Sequence, residues 1–355
     1  MPKSKCLKIP KKQGQKAIAL ARKLGLVDTK REIQRDKTRI YIPLLNRPPE
    51  DGLKSFREQM PGFEVVTHLF SERKRQQPSL AELLKDTLPE NLLPRLPHAA
   101  DLVGDMGIVE IPSELEPYKS IIGEAILGAN KSLQTVLAKA GAVSGSYRLR
   151  EFMVIAGVPK TETVHSEYGC RFYVDVAKSY FSPRLSYEHN RVASLVQEGE
   201  TVADLFAGVG PFAIMTARRR KNVRIFAVDI NPDAVTFLKK NIRLNRVDGK
   251  VYPILGDAMQ VVSKRLAGVA DRVIMNLPET AIEFVDSACR AVKPQGGIVH
   301  YYSFTTASVS LEDTQKMFTE AVEKNGRRVS EFLFCRSVRE TAPHEHQVVL
   351  DARIR

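Results

Sequence analysis

The C-terminal half of the chain alternates short apolar runs with amphipathic segments, and no other feature of the sequence constrains the fold as strongly. TVADLFAG (201–208) predicts a strand entering a glycine turn, PFAIMTARR (211–219) predicts a helix, and VRIFAVDI (223–230) predicts a second strand. The same alternation continues to give five predicted strands from residue 179 onward. Strands that alternate with helices pack as a doubly wound parallel sheet, so we predict an α/β, Rossmann-like fold.

The length of 355 residues suggests two or three domains, at roughly 100–200 residues each. We predict a small α/β domain at 1–68, an α+β middle domain at 69–178 and the doubly wound domain at 179–355. The polar segment SERKRQQP (71–78) ends in proline and reads as a linker. Within the middle domain, the apolar spacing predicts one long helix over 114–139.

The positive charge is concentrated at the N-terminus. The chain carries 54 Lys and Arg against 41 Asp and Glu, a formal net charge of +13. Residues 1–50 hold 14 basic and 4 acidic side chains, a net charge of +10, so the remainder is close to neutral at +3. A basic module on a nearly neutral body favours a polyanionic partner such as nucleic acid, although a solvated basic face would give the same count.

Other features of the composition exclude several classes of protein. Four cysteines lie far apart without CxxC pairing, which argues against a disulfide scaffold and fits a reducing cytoplasm. His344 and His346 are too isolated to predict a metal site, and we predict no metal. The N-terminus lacks a signal-peptide run, and no stretch approaches the ~20 apolar residues of a membrane span. We therefore expect a cytoplasmic protein with no membrane partner.

The turn after the first predicted strand indicates a nucleotide site. Gly208 and Gly210 permit a tight turn and close approach of a ligand to the backbone. With Ala213 they match the GxGxxG/A spacing of dinucleotide-binding proteins, and Asp229 follows 19 residues after Gly210. The glycines alone therefore leave two cofactor classes open.

Three further residues favour S-adenosylmethionine over NAD. Asp204 directly precedes the turn, where it can take the α-amino group of a methionine moiety. Pro211 interrupts the helix start that a pyrophosphate would use. Asp257 ends the third strand, where it can accept the adenine amino group, and Asp229 can accept both ribose hydroxyls. The alternative is that Asp204 and Asp229 only cap the turns that follow them.

The fourth predicted strand ends in NLPE (276–279) rather than in the [DN]PPY of methyltransferases that act on exocyclic amines. Leu277 replaces the first proline and Glu279 replaces the aromatic residue, which argues against methylation of an amino group of adenine or cytosine. This loop has no cysteine, so pyrimidine C5 chemistry through a covalent cysteine adduct lacks its nucleophile.

Taken together, these motifs resemble the archaeal and eukaryotic tRNA (guanine-37) N1-methyltransferases over nearly the whole chain. The blocks in which the resemblance lies are CLKIPKKQG (6–14), YRLREFMVIAG (147–157), RFYVDVAKSYFSPRL (171–185), DLFAGVGPFAI (204–214), AVDINP (227–232), NLP (276–278) and HYYSF (300–304).

The resemblance implies transfer of a methyl group from S-adenosylmethionine to N1 of guanosine 37. Guanine N1 bears a proton, so the reaction needs a general base, typically worth about 10²–10⁴ in rate, and stabilisation of charge on O6. The family positions imply that Glu188 is the base, that Arg148 holds O6 and that Asn276 orients the reacting pair. The implied cofactor-binding residues are Asp204, Phe206, Gly208, Gly210, Asp229, Ile230, Asp257, Ala258, Asn276, Leu277, Pro278, Arg184 and His189.

The resemblance also implies how tRNA is held. A small N-terminal domain grips the outer corner of the tRNA, and the C-terminal domain takes the base beside the anticodon. The partner is then tRNA rather than DNA. A monomer is expected, because one chain supplies both the gripping and the catalytic parts.

Several alternatives stay open at this stage. Arg150 is an alternative to Arg148 for the contact with the guanine base. Without the family resemblance, Glu188 would be interpreted as an acid on a helix surface. His189 fits a surface histidine as well as a cofactor contact. Arg184 fits a phosphate contact, a pocket wall or a structural brace equally well. The competing functions are aminocarboxypropyl transfer in wybutosine synthesis, methylation of a tricyclic guanosine derivative, non-catalytic tRNA binding and NAD-dependent oxidation.

Overall fold

The computed structural model describes residues 3–60, 62–72, 78–145, 147–342 and 345–355. The chain divides into two compact units, Met1–Pro78 and Ser79–Arg355. Residues 73–77 of the predicted linker at 71–78 lie outside the described residues, and so does His344. Within the described residues, no helix combines the length and the apolar character needed to cross a membrane.

The first unit is a four-stranded antiparallel sheet in the order β2-β3-β1-β4, with two helices packed on it. Its core contains Leu7 and Ile9 from the first strand and Phe56 from the second helix, all fully buried. Its elements are β1 (Lys3–Pro10), α1 (Gly14–Lys23), β2 (Gln34–Arg35), β3 (Arg39–Pro43), α2 (Glu50–Gln59) and β4 (Glu64–Leu69), with a 3₁₀ turn at Lys11–Gln13.

The second unit begins with a sheet in the order β5-β6-β7-β8 and the antiparallel pair β9-β10. The first helix starts at a capping box, in which the backbone amide of Glu82 donates to Ser79 Oγ at 3.2 Å. The elements here are α3 (Leu80–Leu84), β5 (Asp101–Val103), β6 (Met106–Val109), α4 (Lys119–Ala129), β7 (Thr135–Ser144), β8 (Leu149–Gly157), β9 (Glu162–Glu167) and β10 (Cys170–Asp175), with 3₁₀ segments at Glu90–Arg95 and Ser113–Tyr118.

The single long helix predicted over 114–139 is wrong. After the 3₁₀ segment, α4 ends at Ala129, and Asn130 has an extended backbone with its Oδ1 accepting the Ser132 backbone amide at 3.2 Å, as in a turn. From Thr135 the chain is β7, which pairs in parallel with β6. Pairing in the sheet therefore overrides the apolar spacing that favoured a helix.

The remainder of the second unit is the predicted doubly wound domain. Gly210 has a positive φ of 93° and precedes the helix that begins at Pro211, which occupies the first helical position. The elements are α5 (Ser186–Leu195), β11 (Thr201–Asp204), α6 (Pro211–Arg219), β12 (Arg224–Asp229), α7 (Pro232–Leu244), β13 (Val251–Leu255), α8 (Ala258–Val261), β14 (Arg272–Met275), α9 (Val285–Ala291), β15 (Gly297–Thr305), α10 (Leu311–Lys324), β16 (Val329–Ala342) and β17 (Glu345–Ile354), with 3₁₀ turns at Pro183–Leu185 and Ala281–Phe284 and a π-helical segment at Val262–Leu266.

These strands form one seven-stranded sheet in the order β13-β12-β11-β14-β15-β17-β16. The five predicted strands are parallel, which confirms the doubly wound arrangement, and β17 and β16 add an antiparallel hairpin at one edge. Met106 and Leu137 of the preceding sheet pack in the same core as Phe172 and Phe212. The carboxyl ends of β11 to β14 therefore share one edge, close to the sheet that precedes them in the chain.

Candidate active site

A cleft of about 660 Å³ lies at the carboxyl ends of the parallel strands. Open α/β sheets bind ligands at this position, because the loops that leave the strands diverge there. Most of the predicted site residues line the cleft: Arg148, Arg184, Phe206, Gly208, Asp229, Ile230, Asp257, Ala258, Asn276, Leu277 and Pro278. The lining does not include the other four, Glu188, His189, Asp204 and Gly210.

Asp204 is the last residue of β11 and is completely buried. Among the described residues, neither of its carboxylate oxygens has a hydrogen-bond partner. Burial, reinforced by the negative charge of Asp229, raises its pKa to about 8, and the Phe206 backbone amide acts in the opposite direction without reaching hydrogen-bond geometry. Buried carboxylates are normally satisfied by donors, so Asp204 is suited to meet a cationic or N–H group of a ligand.

Asp229 ends β12 and holds the glycine turn in place. Its Oδ2 accepts the Gly208 amide at 2.6 Å, and its Oδ1 accepts the Asn231 amide at 2.9 Å. Burial nevertheless raises the pKa of this carboxyl. Each carboxylate oxygen has a second lone pair, so Asp229 can also accept two ligand hydroxyls from the cleft.

The far side of the cleft combines a polar residue with an apolar wall. The Asp257 side chain accepts the Gln260 amide at 3.0 Å and caps α8. Phe206 packs edge-on against Phe284 with ring centroids 4.9 Å apart, and Ile230 is exposed on the same lining. A flat heterocycle would find an apolar surface here with a carboxylate at its edge.

Arg148 enters the cleft from the loop before β8, with a positive φ of 55° that is unusual for a residue other than glycine. Its Nη2 donates to Glu279 Oε1 at 2.6 Å, and its guanidinium lies 6.0 Å from the ring centre of Tyr180. Its Nη1 is buried and has no partner among the described residues. Arg150 also lines the cleft, so the structure brings both candidate arginines to the site.

Glu188 lies in the first turn of α5, is buried and is not among the residues that line the cleft. Its Oε2 accepts the Tyr302 hydroxyl at 3.0 Å and Arg191 Nε at 2.9 Å. Its Oε1 is buried and has no partner in the described part of the chain. Arg191 also pairs with Asp351 on β17, and these bonds hold the pKa of the Arg191 guanidinium above its ordinary value in spite of burial. Glu188 is therefore a buried residue and not the surface acid that its position in a helix alone would suggest.

Two other predicted cofactor-binding residues, His189 and Gly210, lie close to side chains within the domain. His189 Nδ1 lies 2.8 Å from Glu167 Oε2, and its ring packs edge-on against Phe212. A Cβ at Gly210 would lie 2.4 Å from Leu238 Cδ1, so the Leu238 side chain would have to shift, and the positive φ also favours glycine. Like Asp204 and Glu188, these two residues are not on the cleft lining, and their contacts with a cofactor stay predictions.

Arg184 spans two elements at the mouth of the cleft. Its Nε donates to Asp101 Oδ1 on β5 at 2.6 Å, and its side chain is half exposed. Arg184 thus serves as a brace between β5 and the loop that leads to α5. It also stays accessible on the cleft lining.

Three residues without a predicted role also belong to the site. Glu279 pairs with Arg148, while Arg339 and Gln347 reach the cleft from the hairpin of β16 and β17. Glu279 directly follows the NLP motif, so its place in this loop could have identified it as a site residue from the sequence. The two hairpin residues lie in no recognisable motif, and only the folded sheet reveals them.

The donor set fits S-adenosylmethionine. The unsatisfied Asp204 carboxyl suits the α-ammonium group, Asp229 suits the ribose diol, and Asp257 with the Phe206 and Ile230 surface suits the adenine. These three carboxylates come from the ends of three adjacent strands, as the sequence predicts. Their individual contacts with the ligand stay predictions.

Three family sequence models match the chain. The sequence model of the TRM5/TYW2 methyltransferase domain matches residues 163–330. The tRNA methyltransferase 5 N-terminal domain matches residues 6–52, and the TYW2 N-terminal domain matches residues 80–161. The three matches together span both compact units of the chain.

Individual relatives match over nearly the full length. The tRNA (guanine(37)-N(1))-methyltransferase Trm5b of Pyrococcus abyssi is 38% identical, and that of Methanocaldococcus jannaschii is 36% identical, each covering 98% of both chains. The solved complex of aTrm5 and tRNALeu superimposes with a TM-score of 0.68 at 35% identity, covering 98% of this chain and 99% of that one. The resemblance seen in the sequence is confirmed, and the chain belongs to the tRNA (guanine(37)-N(1))-methyltransferase family.

Proposed function

We propose that this chain transfers a methyl group from S-adenosylmethionine to N1 of guanosine 37 in tRNA. The observation with the greatest weight is the cleft that places Arg148 beside the NLPE loop (276–279), at the strand ends where the three carboxylates lie. An enzyme that methylates this nitrogen needs a cationic donor for O6, a general base and a pocket for the methyl donor. The site offers candidates for all three.

The methyl donor would be held by residues already described. Asp204 would pair with its ammonium group, Asp229 with its ribose hydroxyls and Asp257 with its adenine amino group. When bound, S-adenosylmethionine supplies a methyl group on a sulfonium, which a nitrogen lone pair can attack. The apolar wall of Phe206 and Phe284 would exclude water from one side of this pocket.

Arg148 would act on the guanine base. Loss of the N1 proton places negative charge on O6, and a guanidinium aimed at O6 stabilises that charge as the reaction proceeds. The unpartnered Nη1 of Arg148 is available for this contact, while Glu279 holds Nη2. Asn276 lies on the same lining and would orient the base.

Glu188 would accept the N1 proton. Its free Oε1 is buried, and its Oε2 is held by Tyr302 and Arg191. A carboxylate fixed on one oxygen and free on the other suits a general base, because its orientation is set before the substrate binds. The carboxylate of Glu279, on the cleft lining itself, is the competing candidate.

The tRNA would be held by separate parts of the chain. The solved aTrm5 complex contains a tRNA, and residues 1–50 of this chain carry a net charge of +10. We infer that residues 1–68 bind the outer corner, that 69–178 form a middle domain, and that 179–355 take the anticodon loop. We also infer that the protein acts in the cytoplasm as a monomer.

The test is methyl transfer from labelled S-adenosylmethionine to two unmodified tRNA transcripts that differ only in G37 or A37, followed by nucleoside analysis. The proposal expects 1-methylguanosine from the G37 transcript and no product from the A37 transcript. A heavier, aminocarboxypropylated product on a pre-modified tRNA would assign the chain instead to the reaction suggested by the TYW2 N-terminal match at 80–161. Absence of both transfer and cofactor binding, the latter measured by calorimetry, would indicate a non-catalytic tRNA-binding protein.

A further inference from the structure

A chain of hydrogen bonds connects the edge hairpin to the reaction site. Arg339 Nε donates to Gln347 Oε1 at 2.8 Å, and Gln347 Nε2 donates to Asn276 Oδ1 at 3.2 Å. Gln347 is almost completely buried, and all three side chains line the cleft. The hairpin of β16 and β17 therefore reaches the same strand end that bears the NLP motif.

Arg339 is itself held at three points. Besides the bond from Nε to Gln347, its Nη1 donates to Ser182 Oγ at 2.8 Å and its Nη2 donates to the Tyr180 hydroxyl at 3.1 Å. Ser182 and Tyr180 belong to the segment before α5. A guanidinium with all three nitrogens bonded has little rotational freedom, so it presents Nε to Gln347 in one direction.

This arrangement settles the orientation of two carboxamides whose oxygen and nitrogen would otherwise be interchangeable. An arginine has only donors, so the group of Gln347 that faces Arg339 must be the oxygen. The nitrogen of Gln347 then faces Asn276, which must turn its own oxygen toward Gln347. Since the described residues give Asn276 no other side-chain hydrogen bond, its Nδ2 is the group left for a ligand.

We propose that Arg339 and Gln347 are positioning residues that make Asn276 present a hydrogen-bond donor to the base, and thereby favour guanine over adenine. The 6-position of guanine carries a carbonyl oxygen, which accepts from Nδ2, whereas adenine carries an amino group there, which does not. An Asn whose oxygen faced the substrate would have the opposite preference. This inference rests on the proposed function and adds how the site selects its base.

The decisive variant is Gln347→Glu. Glutamate keeps the size of the side chain and the bond with Arg339, but it cannot donate to Asn276. The Asn276 carboxamide then turns its Nδ2 toward residue 347 and its Oδ1 toward the base. We expect the single-turnover rate on the G37 transcript to fall about tenfold or more at saturating cofactor, the loss that one wrongly matched base contact causes.

A second measurement does not depend on methyl transfer. The dissociation constants of G37 and A37 transcripts are compared by fluorescence anisotropy without cofactor. The wild type is expected to bind G37 more tightly, and Gln347→Glu is expected to bring the ratio close to one or to reverse it. A change confined to packing would weaken both transcripts equally and would overturn the proposal.

Arg339→Met provides a second test in case Gln347→Glu, which buries a carboxylate, does not fold. Arg336→Met, on the same strand, is the matched control. Arg339→Met releases Gln347 and is expected to lower the G37 rate and the binding ratio in the same direction. Arg336 stacks on Tyr187 and does not belong to the hydrogen-bond chain, so its removal should change neither quantity.

The inference fails if Gln347→Glu and Arg339→Met both retain the rate and the G37 preference of the wild type. A wild type that does not methylate G37 at all would refute the proposed function instead. The two failures are thus distinguishable from the wild-type control alone.

Discussion

Arg148 Nη2 lies 2.6 Å from Glu279 Oε1, joining two residues that are 131 positions apart in the chain. The contact fixes one edge of the guanidinium, while the other terminal nitrogen is buried and without a partner among the described residues. The positive φ of Arg148 adds backbone strain, which clusters at functional sites. Glu279 therefore orients the Arg148 guanidinium, whose Nη1 has no hydrogen-bond partner among the described residues.

Replacing Arg148 by alanine should lower the single-turnover methylation rate about 10²–10³-fold, the range for removing a donor to a developing oxyanion. Arg150→Ala is the matched control, because Arg150 lines the same cleft two residues away. We expect at most a severalfold loss there. Equal losses in both variants would show that the cleft needs positive charge in general rather than the Arg148 contact.

Glu279→Gln keeps the shape of the side chain and removes its charge. Since Glu279 is half exposed, the ion pair contributes at most about 1 kcal/mol to the free energy of unfolding, and the melting temperature should hardly change. The rate should fall severalfold because Arg148 is less well aimed. Thermal unfolding together with single-turnover kinetics separates the two effects, and a rate loss as large as that of Glu188→Gln would make Glu279 the better candidate for the base.

The raised pKa of Asp204 predicts a pH-dependent stability. Its pKa shifts from 3.8 to about 8 in the folded protein, so between these values the folded state holds a proton that the unfolded state has lost. The contribution of this group to stability therefore falls as the pH rises through that window. Asp204→Asn should flatten this part of the pH profile and increase the stability at neutral pH, as measured by chemical denaturation without cofactor.

The same group predicts how cofactor affinity depends on pH. Pairing with an ammonium favours the charged form of Asp204, so binding below about pH 8 should release a proton and tighten as the pH rises from about 6. Calorimetry in two buffers with different ionisation enthalpies measures the released proton. An Asp204→Asn variant that binds as tightly as the wild type, with the same proton release, would contradict the assignment.

Glu188→Gln tests the general base. We expect the rate to fall about 10²–10⁴-fold, with tRNA affinity unchanged. Tyr302→Phe removes only the hydroxyl that donates to Glu188 Oε2 and should cost less. Because Glu188 is buried, the melting temperature of each variant is measured first, and Glu200→Gln serves as a charge-matched control, since Glu200 pairs with Arg272 instead. A Glu188→Gln enzyme with nearly full activity would exclude this role.

Gly210→Ala tests the turn below the site. The added Cβ would lie 2.4 Å from Leu238 Cδ1 at a φ of 93°, which alanine tolerates poorly. We expect a loss of about 1–3 kcal/mol in the free energy of unfolding from strain and overpacking. Gly249→Ala is the control, because its φ is also positive at 77° but nothing lies within 4 Å of its Cβ. If both variants lost the same free energy of unfolding, the positive φ alone would account for the effect.

Local patterns were sufficient for the parallel sheet and for the acids at its strand ends. Asp204, Asp229 and Asp257 each follow an apolar run, and parallel strands necessarily bring such positions to one edge. The same kind of reasoning failed over 114–139, where apolar spacing predicts one helix but β7 begins at Thr135. There the partner strand β6 decides the conformation, and a local pattern does not include it.

Side-chain environments at the site could not be predicted in this way. Helical position alone makes Glu188 a surface acid, yet it is buried and accepts a hydrogen bond from Tyr302 on β15, 114 positions away. Its neighbour Arg191 on the same helix is in turn paired with Asp351 on β17. Arg339 and Gln347 carry no motif, and they reach Asn276 only because their antiparallel hairpin closes the edge of the sheet.

The sequence by itself determined the doubly wound domain, the cofactor turn and the family. Each of these is recognised from short motifs, whose residues are close together along the chain. Only the tertiary structure decided which carboxylates are buried, which donors are left unpaired and which distant side chains orient the catalytic candidates. Those properties arise from packing between elements, which brings together residues that are far apart in the chain, such as Arg148 and Glu279, 131 positions apart.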